Sequence, residues 1–467
     1  MTIAINGIGL ATAQGNTSEI LEPQSIRTAT ELPWAASRWN ISRVCYAAVG
    51  IDVTLSGVAR WRALVKKAFA DLATSEKTPL LVASCNGSAG EDWEEAFDTK
   101  ALLDGTPWAN DDLPVFSSSC ASGLHALYAA RELLTSGAVN EVLVLAADIL
   151  SRSNHENFES LRVLTERPAA PWQSSSSGFI LGEAAVVLRL VRVNDSRTTL
   201  EGPELTSDLT EHDGLSNAIE TFSPVNAKTI FGQGTGPYAN DAAELKALSA
   251  FVDRHVPITT TLTHFGHTLG ASSLLLIALG ALSLERSVPA LANPAISTSD
   301  GRPLWNGRST DAVLATCRAL NGACAATGVG EISHAKTQRR KGGWVSSVTP
   351  GPLMSFTLKR LATEAFEQRP AEPPDVLILR LEKPLAPPSS AIIGERLLPS
   401  AVLEITPGFA SQLIARCWGY GGPTLCLVGN VDVDPYGLKD AFRASGKNVF
   451  QVNLRGTGDN RAIEWNV

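Results

Sequence analysis

Apolar positions along the chain come in short blocks whose period switches between two residues and three-to-four, the mark of strands interleaved with helices. Residues Thr2 to Gly9 alternate toward a strand, and the apolar runs Thr78 to Ala83, Glu141 to Ala146 and Ala184 to Leu190 have the length of strands buried in a layered α/β core. Between them, Leu124, Leu127, Tyr128, Arg131 and Leu134 keep helical spacing without a proline, and Gly137 supplies the stop. Ala59 to Leu72 and Ser272 to Leu284 also read as helices, the second so apolar that it belongs in a core or an interface. Near the end of the chain, helix-like Leu358 to Gln368 and Tyr436 to Ala444 are interspersed with strand-like Asp375 to Leu381, Gly422 to Val428 and Asn448 to Leu454.

One junction in this pattern carries chemistry. The short strand-like Val115-Phe116 runs through Ser117-Ser118-Ser119 into Cys120-Ala121-Ser122-Gly123, where the helix begins. A thiol in the first turn of a helix lies beside unpaired backbone N–H groups and the positive end of the helix dipole, which favours thiolate and lowers its pKa. The same amides can hold an oxyanion. Taken alone, Cys120 reads equally as a small buried hydrophobe, the usual state of a lone cysteine.

Downstream segments decide between these readings. Ser119-Cys120-Ala121-Ser122-Gly123 is followed by Ser177-Gly178-Phe179-Ile180-Leu181-Gly182-Glu183-Ala184-Ala185, then Gln233-Gly234-Thr235-Gly236-Pro237-Tyr238-Ala239-Asn240-Asp241 with Glu244, then Leu262-Thr263-His264-Phe265-Gly266-His267-Thr268-Leu269-Gly270-Ala271. In order and separation these resemble the motifs of the β-ketoacyl synthases, a family of the thiolase-like superfamily. The resemblance covers residues 1 to about 330 and weakens at Cys317 to Ala323, which takes the place of a glycine- and phenylalanine-rich gating loop containing Leu320. Two positions depart from the family pattern: Gln233 stands for a histidine, and Leu262 for a lysine.

The resemblance implies a layered αβαβα fold with duplicated halves, about 1–195 and 196–330, and a small α/β extension over 331–467. It implies Cys120 as nucleophile, with His267 and Gln233 as N–H donors to an enolate oxygen; a glutamine amide donates but cannot exchange a proton. Thr235, Asp241 and Glu244 belong to the supporting loop. Glu244 has lost the lysine that neutralises it in the family, and His264, three residues from His267, is the candidate replacement. Three functions follow: condensation of an acyl-Cys120 with a malonyl-type extender in fatty acid or polyketide-like biosynthesis, acyl transfer or hydrolysis without elongation, and a non-catalytic partner of another ketosynthase in the manner of a chain-length factor. Expected partners are an acyl carrier protein or acyl-CoA thioesters and a second ketosynthase-like subunit, in a homodimer or heterodimer.

Composition narrows the setting. The chain has 467 residues, 44% of them hydrophobic, enough to bury a large core. Seven cysteines without paired spacing argue against a disulfide framework or zinc site, and a cytoplasmic location with no metal or cofactor is expected. Gly232, Gly234 and Gly236 after Thr229-Ile230-Phe231 do not make a dinucleotide loop, because Pro237 breaks the spacing and the third glycine is missing. No membrane span is expected, and a net charge of −8 offers nucleic acid no general attraction. Docking of an acidic carrier then needs a local basic patch, for which Lys336 to Lys341 is a candidate as well as an ordinary solvated linker. His125 reads as packing within the nucleophile helix. The extension's helices and strands echo the region around Cys120: aligning Ser445-Gly446 with Ser136-Gly137 puts the counterpart of the nucleophile between Gly429 and Asp432, where there is no cysteine. The extension thus reads as an inert partial repeat or as an unrelated α/β appendage.

Overall fold

The structure is a computed structural model and describes residues 2–466 except 23–26, 32–43, 73–77, 89–94, 166, 168, 195, 210–212, 224–225, 294, 296, 333–355, 386–391, 394–395, 398–405 and 458–460. The basic run Lys336 to Lys341 lies outside the described residues.

Among the described residues, fourteen strands form one continuous sheet. In chain order they are β1 (Thr2–Thr12), β2 (Leu80–Ala83), β3 (Val115–Phe116), β4 (Glu141–Asp148), β5 (Ala184–Val193), β6 (Thr199–Ser207), β7 (Thr229–Phe231), β8 (Ile258–Thr259), β9 (Ala312–Arg318), β10 (Ala323–Gly330), β11 (Val376–Leu381), β12 (Thr424–Val428), β13 (Val449–Arg455) and β14 (Ala462–Asn466). The helices used below are α1 (Gly57–Ala70), α2 (Ser122–Ser136), α3 (Gly214–Phe222), α4 (Tyr238–Phe251), α5 (Ser272–Ser283), α6 (Phe356–Glu367), α7 (Pro407–Trp418) and α8 (Leu438–Ala444).

The spatial order is β8-β7-β9-β10-β6-β1-β5-β4-β2-β3-β12-β11-β13-β14. Strands β3, β2 and β4 are parallel, while β4 pairs antiparallel with β5 and β5 with β1. Strands β8, β7 and β9 are parallel, while β9 pairs antiparallel with β10 and β10 with β6. The two five-strand halves therefore repeat one connectivity, as the resemblance implies. They meet where β1 pairs with β6 over only two residues, Ile3–Leu200 and Ala4–Thr199, which lets the halves diverge around a middle layer.

That middle layer is α2 and α5. Helix α2 touches β2, β4 and β6, and α5 touches β5, β9 and β10, so each contacts strands of both halves. Residues Ser122 to Ala130 and Leu274 to Ala281 are buried without interruption, since a helix covered on every side has no polar face to keep. Gly123 lets the two helices approach: a Cβ there would lie 2.7 Å from that of Leu274. Helix α1 covers the outer face of the first half, and α3, with α4 packed on it, covers the second. The five layers α/β/α/β/α result. Each predicted segment forms within a few residues of its expected bounds, and Gly137, at φ 80°, ends α2 in the left-handed conformation its sequence position suggests.

The last four strands continue the same sheet. Strand β12 pairs antiparallel with β3 (Val115–Val428, Phe116–Leu427), β11 lies parallel to β12 and β13, and β13 pairs antiparallel with β14. Alternate residues of β11 enter different cores: Val376 and Ile378 join the cluster around α2, whereas Leu377, Leu379 and Leu381 join the outer cluster shared with α1. Among the described residues no helix is long and apolar enough to cross a membrane.

Candidate active site

The nucleophile turn is built from short-range backbone constraints. Chain leaves β3 at Phe116, and Ser119 adopts φ 52°, an uncommon conformation for a residue with a side chain. The Ser122 hydroxyl, which accepts from the Ser118 amide at 2.8 Å and donates to the Ser119 carbonyl at 2.6 Å, fixes that turn. Cys120 is thereby held just ahead of the helix, two residues before its first turn at Ser122.

This placement corrects the expectation of a resting thiolate. Cys120 is 2% exposed, and burial pushes the thiol up to about 12; the Leu320 amide, the Cys120 amide and the Gln233 side chain pull the other way, with the Asp148 charge adding to the rise. Loss of water around the sulfur outweighs the nearby donors, so the resting group is a thiol poised among groups that stabilise its anion.

Three of the predicted residues converge on this sulfur. Nε2 of His267 lies 3.2 Å from Sγ. The ring is clamped from both sides of the chain, its residue's amide donating to the Ile180 carbonyl and its carbonyl accepting from Gly182, and Phe179 stacks on it at 4.7 Å between centroids. Nδ1 accepts the Leu269 amide at 3.2 Å, which leaves the proton on Nε2, aimed at the sulfur. Burial lowers the imidazole to about 4, so it is a neutral donor. Gln233 arrives from the loop after β7. Its Oε1 accepts the Arg318 amide at 2.8 Å, which turns Nε2 toward Cys120, where among the described residues that nitrogen has no conventional hydrogen-bond partner. The Leu320 amide comes from the turn between β9 and β10.

Two family models match this part of the chain. One, described as "Beta-ketoacyl synthase, N-terminal domain", matches residues 115–196, and another, "Beta-ketoacyl synthase, C-terminal domain", matches 211–293. Between residues 115 and 293 the chain is similar to the β-ketoacyl synthases. It is 26% identical over 208 residues to a polyketide β-ketoacyl synthase 1 of Streptomyces virginiae, an alignment covering 38% of this chain and 50% of that protein. Thus the chain spans about half the length of the curated relatives it matches. In fold, it is similar to the ishigamide ketosynthase/chain length factor (TM-score 0.57, 18% identity, 70% of this chain and 98% of that one). It is also similar to the PfaC ketosynthase-chain length factor (TM-score 0.66, 12% identity, 97% of this chain and 74% of that one).

The departures from the β-ketoacyl synthase pattern have structural consequences. Glu244 is buried and its carboxylate receives four neutral donors, the Gln233 and Gly234 amides, the Trp172 indole and the Thr316 hydroxyl. Burial raises its pKa and these hydrogen bonds oppose the rise. His264 does not take the missing lysine's place: its ring faces the Ala292 carbonyl at 3.4 Å and its own carbonyl accepts from Gln14. Asp241 shapes the same loop by accepting the Trp172 and Gly236 amides and the Thr235 hydroxyl, and burial pushes it up to about 7. Thr235 reaches Asp241 and not the sulfur, so Thr235, Asp241 and Glu244 support the turn that carries Gln233.

Sequence reasoning missed two buried clamps. Asp148, at the end of β4, accepts from the Ser84 hydroxyl and the Cys85, Asn86 and Gly270 amides, tying the His267 segment to the first half. Glu183, at the acidic position of the glycine-acid motif, receives Nε and Nη2 of Arg60 at 2.7 Å each, with both side chains fully buried, and the Ala48 and Leu150 amides. The acid was visible in the motif; its partner, 123 positions away, had no local signal.

Proposed function

We propose that the chain is a β-ketoacyl synthase-like acyltransferase that carries an acyl group on Cys120 and condenses it with a malonyl-type extender. The observation behind this reading is the convergence on one sulfur of His267 Nε2, the Gln233 carboxamide and the Leu320 and Cys120 amides. In the first step Cys120 attacks the carbonyl of an acyl thioester. Its S–C bond forms as the carrier's C–S bond breaks, the tetrahedral oxygen rests on the two amides, and the thiol proton ends on the departing carrier thiol. In the second step the extender's C–C bond to its carboxylate breaks, releasing carbon dioxide. The electron pair becomes an enolate, whose oxygen is held by the N–H groups of His267 and Gln233, and whose carbon bonds to the acyl carbonyl carbon as the C–S bond to Cys120 breaks, leaving a Cys120 thiolate that takes a proton from water. An acyl carrier protein or acyl-CoA is the donor.

A second reading, transfer or hydrolysis without elongation, draws support from the same departures. Gln233 is a weaker donor than a histidine that can be charged, and among the described residues no cation hydrogen-bonds Glu244. The two readings part at carbon dioxide. Intact-mass analysis after exposure to a panel of acyl thioesters should show one acyl adduct that Cys120→Ala abolishes, and a carboxyl-labelled malonyl carrier should then lose its label as gas. An adduct without gas release selects transfer. Absence of any adduct on Cys120 removes both and leaves the non-catalytic partner.

A further inference from the structure

The strand signs across the sheet form a palindrome about the β3·β12 pair. Outward from β3 run β2 (parallel), β4 (parallel) and β5 (antiparallel); outward from β12 run β11 (parallel), β13 (parallel) and β14 (antiparallel). Helices match as well. In chain order, α1-β2-β3-α2-β4-β5 corresponds to α6-β11-β12-α8-β13-β14, with α6 against the outer core like α1 and α8 on the inner side like α2; α7, between β11 and β12, stands where the first half has the four-residue helix Thr99–Leu102. Both inner helices end at a Ser-Gly pair whose glycine is left-handed, Ser136-Gly137 and Ser445-Gly446. The position equivalent to Cys120, four residues past the strand, is Asp432, which pairs with Arg455.

An antiparallel pair flanked by mirrored signs is what a twofold axis between two identical sheets generates. Strand β3, fully buried here, would otherwise be an open apolar edge that templates pairing with another chain. The extension closes it, with the Ser117 amide donating to the Cys426 carbonyl at 2.9 Å and Leu80 to the Tyr436 hydroxyl at 2.9 Å. Helix α8 docks on α2, its Phe442 ring 5.7 Å from Tyr128, and Lys447 beyond it bonding Glu132 at 2.6 Å and the Tyr128 hydroxyl at 3.1 Å.

The contact reaches the reactive turn. A Cβ on Gly408, at the start of α7, would lie 2.6 Å from Cα of Ser118 and 2.8 Å from Nδ2 of Asn321. Further along α7, Arg416 donates to the carbonyls of Asn321 at 3.2 Å and Asp208 at 3.4 Å, while Arg318 pairs with Asp208 at 2.8 Å. Residues 318 and 321 bracket Leu320 and include the amide that anchors Gln233.

We infer that residues 356–467 are a half-copy of the nucleophile-bearing half that serves as an in-chain second subunit, closing the β3 edge in place of another molecule and bracing the Leu320 turn through Arg416. Arg416 is a positioning residue; it reaches the sulfur only through that turn. The placement stands apart from the acyl chemistry proposed above, and the test separates them. Full-length protein, half of it uniformly labelled with nitrogen-15, is mixed, denatured, refolded and treated with a zero-length carbodiimide. The Lys447–Glu132 link should join only peptides of like isotope, disappear in Lys447→Gln, and come from a species that runs as a single chain after the β3 face is accounted for. Mixed-isotope links, or no link, overturn the inference. For the brace, Arg416→Met should lower kcat of Cys120 acylation about tenfold with KM for the acyl thioester unchanged, with Arg416→Lys recovering part of it, and should speed hydrogen exchange at residues 318–322. An unchanged exchange rate and kcat would remove the brace, and exchange alone decides it if Cys120 proves inert.

Discussion

Replacing Gln233 by alanine tests the proposed chemistry most directly, because the two ends of this side chain do different things. Its carbonyl oxygen holds the Arg318 amide at 2.8 Å, while its amino group faces the sulfur without another acceptor. A buried donor aimed at an enolate oxygen contributes roughly 3 to 4 kcal/mol, so its loss should slow carbon dioxide release about a hundredfold to a thousandfold. Acyl loading relies on the Leu320 and Cys120 amides and should fall less than about tenfold. Alanine also leaves the Arg318 amide unpaired, a cost of about 1 to 3 kcal/mol in stability, which urea unfolding of the variant measures separately. Gln233→Asn, one methylene shorter, cannot reach both ends and should lie between. The assay is paired: intact-mass kinetics of the Cys120 adduct, and trapping of labelled carbon dioxide. Condensation within threefold of the parent protein would show that the carboxamide is not an oxyanion donor, and equal loss of loading and condensation would mean that the turn had merely collapsed.

Because burial holds the Cys120 thiol near 12, only about one molecule in ten thousand carries thiolate at pH 8, and alkylation by iodoacetamide should rise about tenfold per pH unit from 7 to 10; a plateau near neutral pH, read by peptide mass spectrometry, contradicts the buried-thiol account. His267 and His125 are lowered by burial to about 4 and about 3, so below the ordinary value of 6.5 the unfolded chain binds protons that the folded chain refuses. Their contribution is present above pH 6.5 and is lost as pH falls toward 4, on the order of 3 to 5 kcal/mol each. Asp148 and Asp241, raised to about 7, act with the opposite sign. The informative quantity is therefore the difference in urea-unfolding slope with pH between the parent and His125→Leu, which should be shallower on the acid side; identical slopes refute it. Arg60→Ala leaves the Glu183 charge buried without its cation and should cost about 3 to 5 kcal/mol in the same unfolding measurement, against which a loss below about 1 kcal/mol would count.

What could be read from the sequence was what local chemistry dictates. The period of α2, its glycine stop, the runs that became β2, β4 and β5, and the order of the four motifs depend on residues a few positions apart, and all are recovered in the structure. The family and the doubled layers followed from those. Properties set by what surrounds a group in space were not legible. Cys120 looked like a helix-end thiolate because the sequence displays the amides beside it but not the packing that strips water from it. His264 looked like a substitute cation because it stands near His267 along the chain, yet its ring turns to Ala292. Glu183 finds Arg60, and Val428 finds Val115, across long stretches of chain, and such pairings depend on how the layers close rather than on any neighbouring residue. Sequence settles periodicity and the supply of reactive groups; the tertiary fold decides their solvation and their partners, because desolvation and long-range contact exist only after the chain has packed.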